Sequence, residues 1–351
     1  MAEGPVRGGV GAFPAGDAPE EVDAGIWRIP LPLPMALRSV NLYLLGGNGE
    51  WALVDAGLGT PDDAAALSAG LRLAGIALDQ ITTLVLTHAH PDHIGLAGDI
   101  HAAANAPVRL LAEEADNLFR IWDDPEMAGL RAANAMYATH GMPAESVASG
   151  MQGSARLRRL VHLPPRAAIA PLAAGAALRL AGHSYRVLWT PGHADHHLCL
   201  LRADGVLVAG DHVLPRITPN IGLYPNSRPN PLRDYFTSLA AVRDLPVRLV
   251  LPGHGRPFAD LAGRVDELIA HHEERADEIV RLLAARPEGA TAFALAVELF
   301  GERLSAVEQQ RFALAETLAH LEDLRERGLV HRRDDVAPVL FAAAAPLRRG
   351  A

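Results

Sequence analysis

The hexapeptide His88-Ala89-His90-Pro91-Asp92-His93 places three imidazoles and a carboxylate on one short stretch of chain. These are ligand types that suit zinc, and also iron or manganese. Pro91 restricts the backbone between two of them. Four such groups cannot all face a core without a partner, because an imidazole or carboxylate taken out of water must find one. Any one of these histidines alone would read as a surface or hydrogen-bonded residue. Clustered directly after the apolar run Ile81–Leu86, they read as a metal-binding loop.

Further candidate ligands each follow an apolar run of their own. Leu188-Trp189-Thr190-Pro191-Gly192 leads to His193, and Leu207-Val208-Ala209-Gly210 leads to Asp211. Leu249-Val250-Leu251-Pro252-Gly253 leads to His254-Gly255. The glycines allow close backbone approach beside each ligand. Several strand ends thus each deliver one polar group to a shared edge, where loops build a site on a rigid scaffold.

The elements that would position these groups are legible in outline. Gly25–Ile29, Val40–Leu45 and Trp51–Val54 alternate as strands between turn signals. Pro61 to Leu73 is helical, with Thr60 as N-cap and Pro61 at the first position. Ile81–Leu86 is a buried strand, a helix follows near Ile94–Ala104, and Val108–Leu111 is the next strand. Residues 113–154 read as a helical insertion, closed by Pro164, Pro165 and Pro171. Strands resume at Ala177–Leu180, Tyr185–Trp189, Leu198–Leu201, Val206–Ala209 and Arg248–Leu251. Amphipathic helices occupy Val265–Ala285 and Leu304–Arg327, and a short hairpin pairs Leu329–His331 with Val339–Phe341. Helices followed by a small β-wing suit a winged-helix-type tail.

Bulk properties narrow the function. The chain has 351 residues, 49% apolar and 21% charged, which is ordinary globular composition and long enough for more than one domain. Its net charge of −9 argues against a general nucleic-acid-binding surface. Cys199 is the only cysteine, which excludes an intrachain disulfide framework; inside Leu198–Leu201 it reads as a buried thiol. The Gly-, Pro- and Ala-rich start lacks the apolar core of a secretory signal and reads as a disordered leader over residues 1–22. No run is long enough to cross a bilayer, so no membrane partner and a cytoplasmic location are expected.

With these motifs in view, the chain resembles the metallo-β-lactamase superfamily. Five segments carry the resemblance in order: Val54-Asp55-Ala56-Gly57, Thr87–His93, Gly192-His193, Gly210-Asp211 and Pro252-Gly253-His254-Gly255. It extends over residues 23–262 and implies an α/β fold, the four-layer αβ/βα sandwich, followed by a helical, winged-helix-like tail over 263–351. The resemblance also implies a binuclear site. His88, His90 and His193 would bind the first metal, Asp92, His93 and His254 the second, and Asp211 would bridge them. Two zinc ions are the default, with iron or manganese compatible with the same ligands. Asp55 would orient a ligand histidine, and His197 would support the site from behind the ligands. His196 departs from the family pattern, which has a glycine there, and reads as exposed or capping. The remaining histidines, His272 and His320 among them, read as surface or structural.

The implied chemistry is hydrolysis by a metal-activated water, with Asp92 as the group that handles its proton. The first expectation for substrate is a small thioester, ester or lactone, in the manner of glyoxalase II. The alternative is a single-stranded-RNA endonuclease, since some relatives with such a tail cleave RNA. Against that reading, residues from Gly263 onward hold 12 arginines and 16 carboxylates, the wrong balance for a phosphate backbone. Arg332-Arg333 and Arg348-Arg349 read as solvated ends. A true β-lactamase and a non-catalytic sensor are weaker alternatives. The insertion either lies over the metal edge as a lid or packs on the sandwich, and Arg216, Asn220 and Tyr224 after Asp211 are the candidates for binding substrate or for organising that loop. A homodimer through the C-terminal helices would use the stripe of Leu268, Ile269, Ile279, Leu282 and Leu283.

Overall fold

The alternation of apolar residues on both faces of several strands forces a layered structure, because each strand must be covered twice. In the computed structural model, which describes residues 17–34, 37–301 and 304–344, two sheets meet that demand. The first contains β1 (Glu20–Asp23), β2 (Ile26–Pro32), β3 (Ser39–Gly47), β4 (Glu50–Val54), β5 (Thr83–Val85) and β6 (Val108–Arg109), in that spatial order. Its first four strands form an antiparallel meander, and β4, β5 and β6 run parallel. The second contains β7 (Ala177–Leu180), β8 (His183–Trp189), β9 (Leu198–Arg202), β10 (Val206–Gly210) and β11 (Leu249–Pro252), ordered β11-β10-β9-β8-β7.

Even and odd positions of the same strand feed different cores. Tyr43 and Leu45 join Val54, Val187, Leu198, Leu200 and Val208 between the two sheets. Leu42 and Leu44 face the other way, onto Ala66, Leu67 and Leu71 of α1 (Pro61–Leu73). Short α2 (Pro91–Ile94) and α3 (Ala97–Ala104) add Ile94, Ala97 and Ile100 to that outer core. On the far side, Cys199, Leu207 and Ala209 pack on α7 (Pro231–Arg243) and the start of α8 (Leu261–Ala284). Helix, sheet, sheet and helix make the expected four layers. Cys199 is fully buried, as its context implied.

The insertion is three helices, α4 (Ala112–Trp122), α5 (Ala128–Thr139) and α6 (Ala144–Arg158), rather than one continuous stretch. Beyond α8 come α9 (Ala292–Phe300), α10 (Val307–Glu326) and the hairpin β12 (Val330–Arg333) with β13 (Leu340–Ala343). A fourth core joins Tyr137 and Met142 of the insertion to Ile279, Leu283, Leu295, Leu314, Leu318 and Phe341. The C-terminal helices therefore brace the insertion. Of the stripe on which a dimer through these helices would rest, Leu268, Ile279 and Leu283 are covered within the chain itself, and Ile269 and Leu282 are half-buried.

One boundary changes. The leader expected through residue 22 ends earlier, because Glu20–Asp23 pairs with β2. Buried Arg28 draws this segment in, through ion pairs with Asp17 and Glu20. Residues 1–16 and Arg348-Arg349 lie outside the described residues. Among those described, no helix is long and apolar enough to cross a membrane.

Thr60 caps α1 by accepting from the Asp63 amide, and Asp63 returns a bond to the Thr60 amide, a reciprocal pair. The turn before α1 then packs on the turn after α2, with the Gly95 amide donating to the Gly57 carbonyl at 2.6 Å. A Cβ at Gly95 would overlap the Leu58 backbone. Gly95→Ala is expected to destabilise the fold by about 1–3 kcal/mol. Urea denaturation would show this as a lower midpoint; an unchanged midpoint would mean the two turns separate freely.

Candidate metal centre

Every sequence-predicted ligand sits just beyond a strand end, on the same edge of the sandwich. Asp55 follows β4, His88 to His93 follow β5, His193 follows β8, Asp211 follows β10 and His254 follows β11. One donor atom from each of His88, His90 and His193 lies within 4.8 Å of the others. The same holds for Asp92, His93 and His254, and for His88, His93 and Asp211. Asp211 stands between the two triads: Oδ2 is 3.5 Å from His193 Nε2 and 3.2 Å from His254 Nε2, while Oδ1 is 3.5 Å from His93 Nε2.

Several of these donors are orphaned. His88 Nε2, His93 Nε2, His254 Nε2 and Asp211 Oδ1 are buried and have no hydrogen-bond partner. Buried polar atoms normally find a hydrogen-bond partner; here they converge on one another, and that arrangement fits a divalent cation. The opposite ring nitrogens are tied down. His93 Nδ1 lies 2.8 Å from Asp55 Oδ2, His193 Nδ1 lies 2.9 Å from the Asn220 carbonyl, and His254 Nδ1 lies 2.7 Å from the Ser39 carbonyl. A carbonyl only accepts, so Nδ1 of His193 and of His254 carries a proton and Nε2 is the nitrogen turned into the centre. This is how metal-ligating histidines are usually held.

Asp55 occupies the left-handed region with φ of 65°, a conformation an ordinary residue adopts only when its surroundings enforce it. The enforcement is visible: Oδ1 accepts from the Thr87 amide at 2.8 Å, and Thr87 Oγ1 lies 3.0 Å from both carboxylate oxygens. Asp55 thus fixes both ends of the His88–His93 loop. His197 is fully buried, as expected of a supporting residue, and its Nε2 accepts from the Asp211 amide at 3.1 Å. Its Nδ1 is 2.8 Å from Thr190 Oγ1. His196 is half-buried and belongs to none of the donor clusters.

The three residues expected to bind substrate separate. Tyr224 lines a cavity of about 290 Å³ that opens beside His90 and His193. Asn220 instead serves the centre from behind: its carbonyl meets His193, and its side-chain amide donates to the Phe312 carbonyl and to Glu316. Arg216 is exposed and outside the cavity wall, because the loop turns its side chain to solvent before returning at Asn220. The insertion forms the opposite wall with Ile121, Trp122, Met127, Leu130 and Leu157.

Other supporting residues were not singled out from the sequence. Glu114, buried at the start of α4, accepts from the Ala89 amide at 2.7 Å, and Trp122 Nε1 donates to the Ala89 carbonyl at 2.8 Å. The insertion is thereby pinned to the peptide between two candidate ligands. Asn41 donates to the Pro252 and Gly255 carbonyls on either side of His254. A lone asparagine inside the apolar run Val40–Leu45 was the signal that could have found it. His212 lies buried between the rings of His197 and Tyr235.

Charge is divided across the centre. Burial, followed by the neighbouring imidazoles, holds His88 well below the usual histidine range, and burial and His193 bring His90 down to about 3. Burial also depresses His254, but the Asp211 and Asp92 carboxylates outweigh it and raise the group to about 10. Asp211, Asp55 and Asp92 likewise lift His93 well above its ordinary value against the effect of burial.

Comparisons with known proteins agree with this geometry. The sequence profile of the metallo-beta-lactamase superfamily matches residues 35–254, and that of the metallo-beta-lactamase-like C-terminal domain matches residues 276–343. The chain is 26% identical over 306 residues to a probable metallo-hydrolase, YqjP, of Bacillus subtilis, covering 84% of this chain and 91% of that one. It is 27% identical over 253 residues to an atrochrysone carboxyl ACP thioesterase of Aspergillus fumigatus, covering 72% of this chain and 62% of that one. Among solved structures, a metallo-beta-lactamase family protein of Thermus thermophilus superposes with a TM-score of 0.82 at 41% identity, over 92% of this chain and 100% of that one. A beta-lactamase domain protein of Burkholderia ambifaria gives 0.81 at 29% identity, over 95% and 98%.

Two measurements test the centre. Asp55→Ala should lower metal affinity about 10- to 100-fold, the usual effect of removing a group that orients a ligand histidine; unchanged affinity in a competitive chelator titration would remove Asp55 from the site. At pH 7 the metal-free centre holds protons on His93 and His254, which a cation must displace. Affinity should therefore fall as pH falls, with net proton release on loading. Calorimetry in buffers of different ionisation enthalpy reads that release directly; its absence would contradict the charge assignment.

Proposed function

Because the chain belongs to the metallo-β-lactamase superfamily and is a metallo-hydrolase, we propose that it hydrolyses a small thioester, ester or lactone, with an acyl thioester foremost. His88, His90 and His193 would hold one zinc ion and Asp92, His93 and His254 a second, with Asp211 within reach of both sets. When bound, the metals supply a water that ionises near neutrality and a Lewis acid for the substrate oxygen.

The chain's own residues do the rest. Asp55 and Asn220 keep His93 and His193 in register. Asp92 is the carboxylate that handles the proton. Its side chain keeps 15% exposure against 7% for Asp211, so it can exchange that proton with solvent, and Oδ2 sits 3.4 Å from His254 Nε2. Burial works against the Asp92 carboxylate, but His93 and His254 hold it well below its ordinary range, so it is ionised.

The observation that carries the substrate class is the cavity wall. Ile121, Trp122, Met127, Leu130 and Leu157 make it largely apolar on the side facing His90 and His193. An acyl chain suits such a wall better than a polynucleotide does. Arg158, which also lines it, is already committed to the Ile121, Trp122 and Asp124 carbonyls. The thioesterase among the relatives supports the same reading. The 113–154 insertion acts as a fixed wall rather than a swinging lid, since Glu114 and Trp122 fasten it to Ala89. The tail, three helices and a hairpin in the winged-helix manner, serves as a brace, with a cytoplasmic setting.

The test is a hydrolysis screen on zinc-loaded protein, pairing acyl thioesters and lactones against single-stranded RNA. Asp92→Asn should lower thioester turnover by about 10²–10⁴, the usual worth of a positioned acid–base group. Trp122→Ala should raise KM for longer acyl chains more than for acetyl. RNA cleavage without thioester turnover would overturn the proposal.

A further inference from the structure

Outside the metal centre, one more group of side chains has the composition of a ligand set. His272 of α8 and Glu316 and His320 of α10 are all buried, and one donor atom from each lies within 4.8 Å of the others. Glu316 and His320 are four residues apart on one helix, so they share a face. His272 reaches them from the neighbouring helix. Two imidazoles and a carboxylate are a recognised zinc set.

Beyond the hydrogen bond that joins the two imidazoles, the ring nitrogens are disposed as in a ligand set. His320 Nδ1 lies 3.0 Å from the Glu316 carbonyl, so it carries the proton and Nε2 presents a lone pair. That is the same dressing as His193 and His254 receive at the main centre. His320 Nε2 is 3.3 Å from His272 Nδ1. Two nitrogens bound tetrahedrally to one zinc ion would stand about 3.3 Å apart, given zinc–nitrogen distances near 2.0–2.1 Å. The Glu316 carboxylate is the third donor, within 4.8 Å of the two imidazole nitrogens. Among the described residues Glu316 forms no ion pair: its side chain meets the Asn220 amide at 3.0 Å. The nearby Arg275 guanidinium is directed to the Leu299 carbonyl and Glu278. A buried carboxylate without a cation, facing two imidazoles, is an arrangement that a divalent ion would complete.

We propose that His272, Glu316 and His320 form a separate structural site for a zinc-type divalent cation, tying α8 to α10. Asn220 connects it to the main centre, because the residue that holds His193 by its carbonyl holds Glu316 by its side chain. The ion would therefore stiffen the C-terminal helices and the loop behind His193 together. It would take no part in hydrolysis, and the inference stands apart from the choice of substrate.

The test is zinc content per chain, by elemental analysis of full-length protein loaded with zinc and freed of excess. Wild-type protein should hold one equivalent more than Glu316→Gln and one more than His320→Gln. The same one-equivalent loss should appear when Glu316→Gln is added to Asp211→Asn, whose main centre is already weakened; this separates the new site from the old. Circular dichroism checks that each variant is folded, and the near-isosteric Glu316→Gln carries the test if His320→Gln is not. Equal zinc content in wild type and Glu316→Gln would overturn the proposal, and so would a loss confined to the background with an intact Asp211.

Discussion

The structure turns on a set of buried side-chain atoms that converge on one point and have no hydrogen-bond partner. His88 Nε2, His93 Nε2, His254 Nε2 and Asp211 Oδ1 are withdrawn from water and left unpartnered. Such atoms cost free energy unless a cation gathers them. Holding them in place is a demand on the whole sandwich, because the ligands and the aspartate that orients them arrive from five separate strand ends. The two sheets satisfy it by packing against each other through Tyr43, Val54, Val187, Leu200 and Val208, which leaves the strand ends little freedom to drift.

Rigidity at the strand ends is then passed through short polar contacts rather than through apolar packing. Asp55 accepts from Thr87 and meets His93, His197 accepts from the Asp211 amide, and Asn41 clamps the turn around His254. Each of these supports fixes a ligand by its backbone or by its far ring nitrogen, leaving the near nitrogen or oxygen free. The left-handed backbone at Asp55 shows the consequence. A locally unfavourable conformation persists because the contacts to Thr87 and His93 depend on it.

The candidate ligands were far more legible in the sequence than their surroundings. His88, His90, Asp92, His93, His193, Asp211 and His254 each follow an apolar run and a glycine or tight turn, and both signals are local. The four-layer fold was legible through the resemblance that the five motif segments carry; the structure shows how consecutive apolar residues such as Leu42, Tyr43, Leu44 and Leu45 divide between two of its cores. Contacts across long stretches of chain were not legible. Nothing in the neighbourhood of Glu114 announces that it will meet Ala89, and nothing near Arg216, Asn220 and Tyr224 tells which faces solvent, which faces the tail and which lines the cavity. His272 and His320 carried no local signal either, since neither follows a strand; only the packing of α8 on α10 brings them to Glu316. The start of the chain was misjudged through Arg28, whose burial draws Asp17 and Glu20 into the fold.

The C-terminal helices are more than an appendage to the hydrolase segment. Asn220 reaches His193 from a loop that would otherwise be exposed, and that loop is held by α10: its side chain donates to the Phe312 carbonyl and Glu316, and the Leu223 amide donates to the Ala315 carbonyl at 3.0 Å. The insertion is held from the same side, through Tyr137 and Met142 against Ile279, Leu314 and Leu318. One face of the cavity and one ligand of the centre therefore depend on residues far beyond His254. A chain cut after the last candidate ligand would keep every donor atom of the main centre yet lose the α10 groups that hold the Asn220 loop behind His193 and the helices that brace the apolar wall. Ligand identity alone gives a metal site; it is the tail that gives that site its shape.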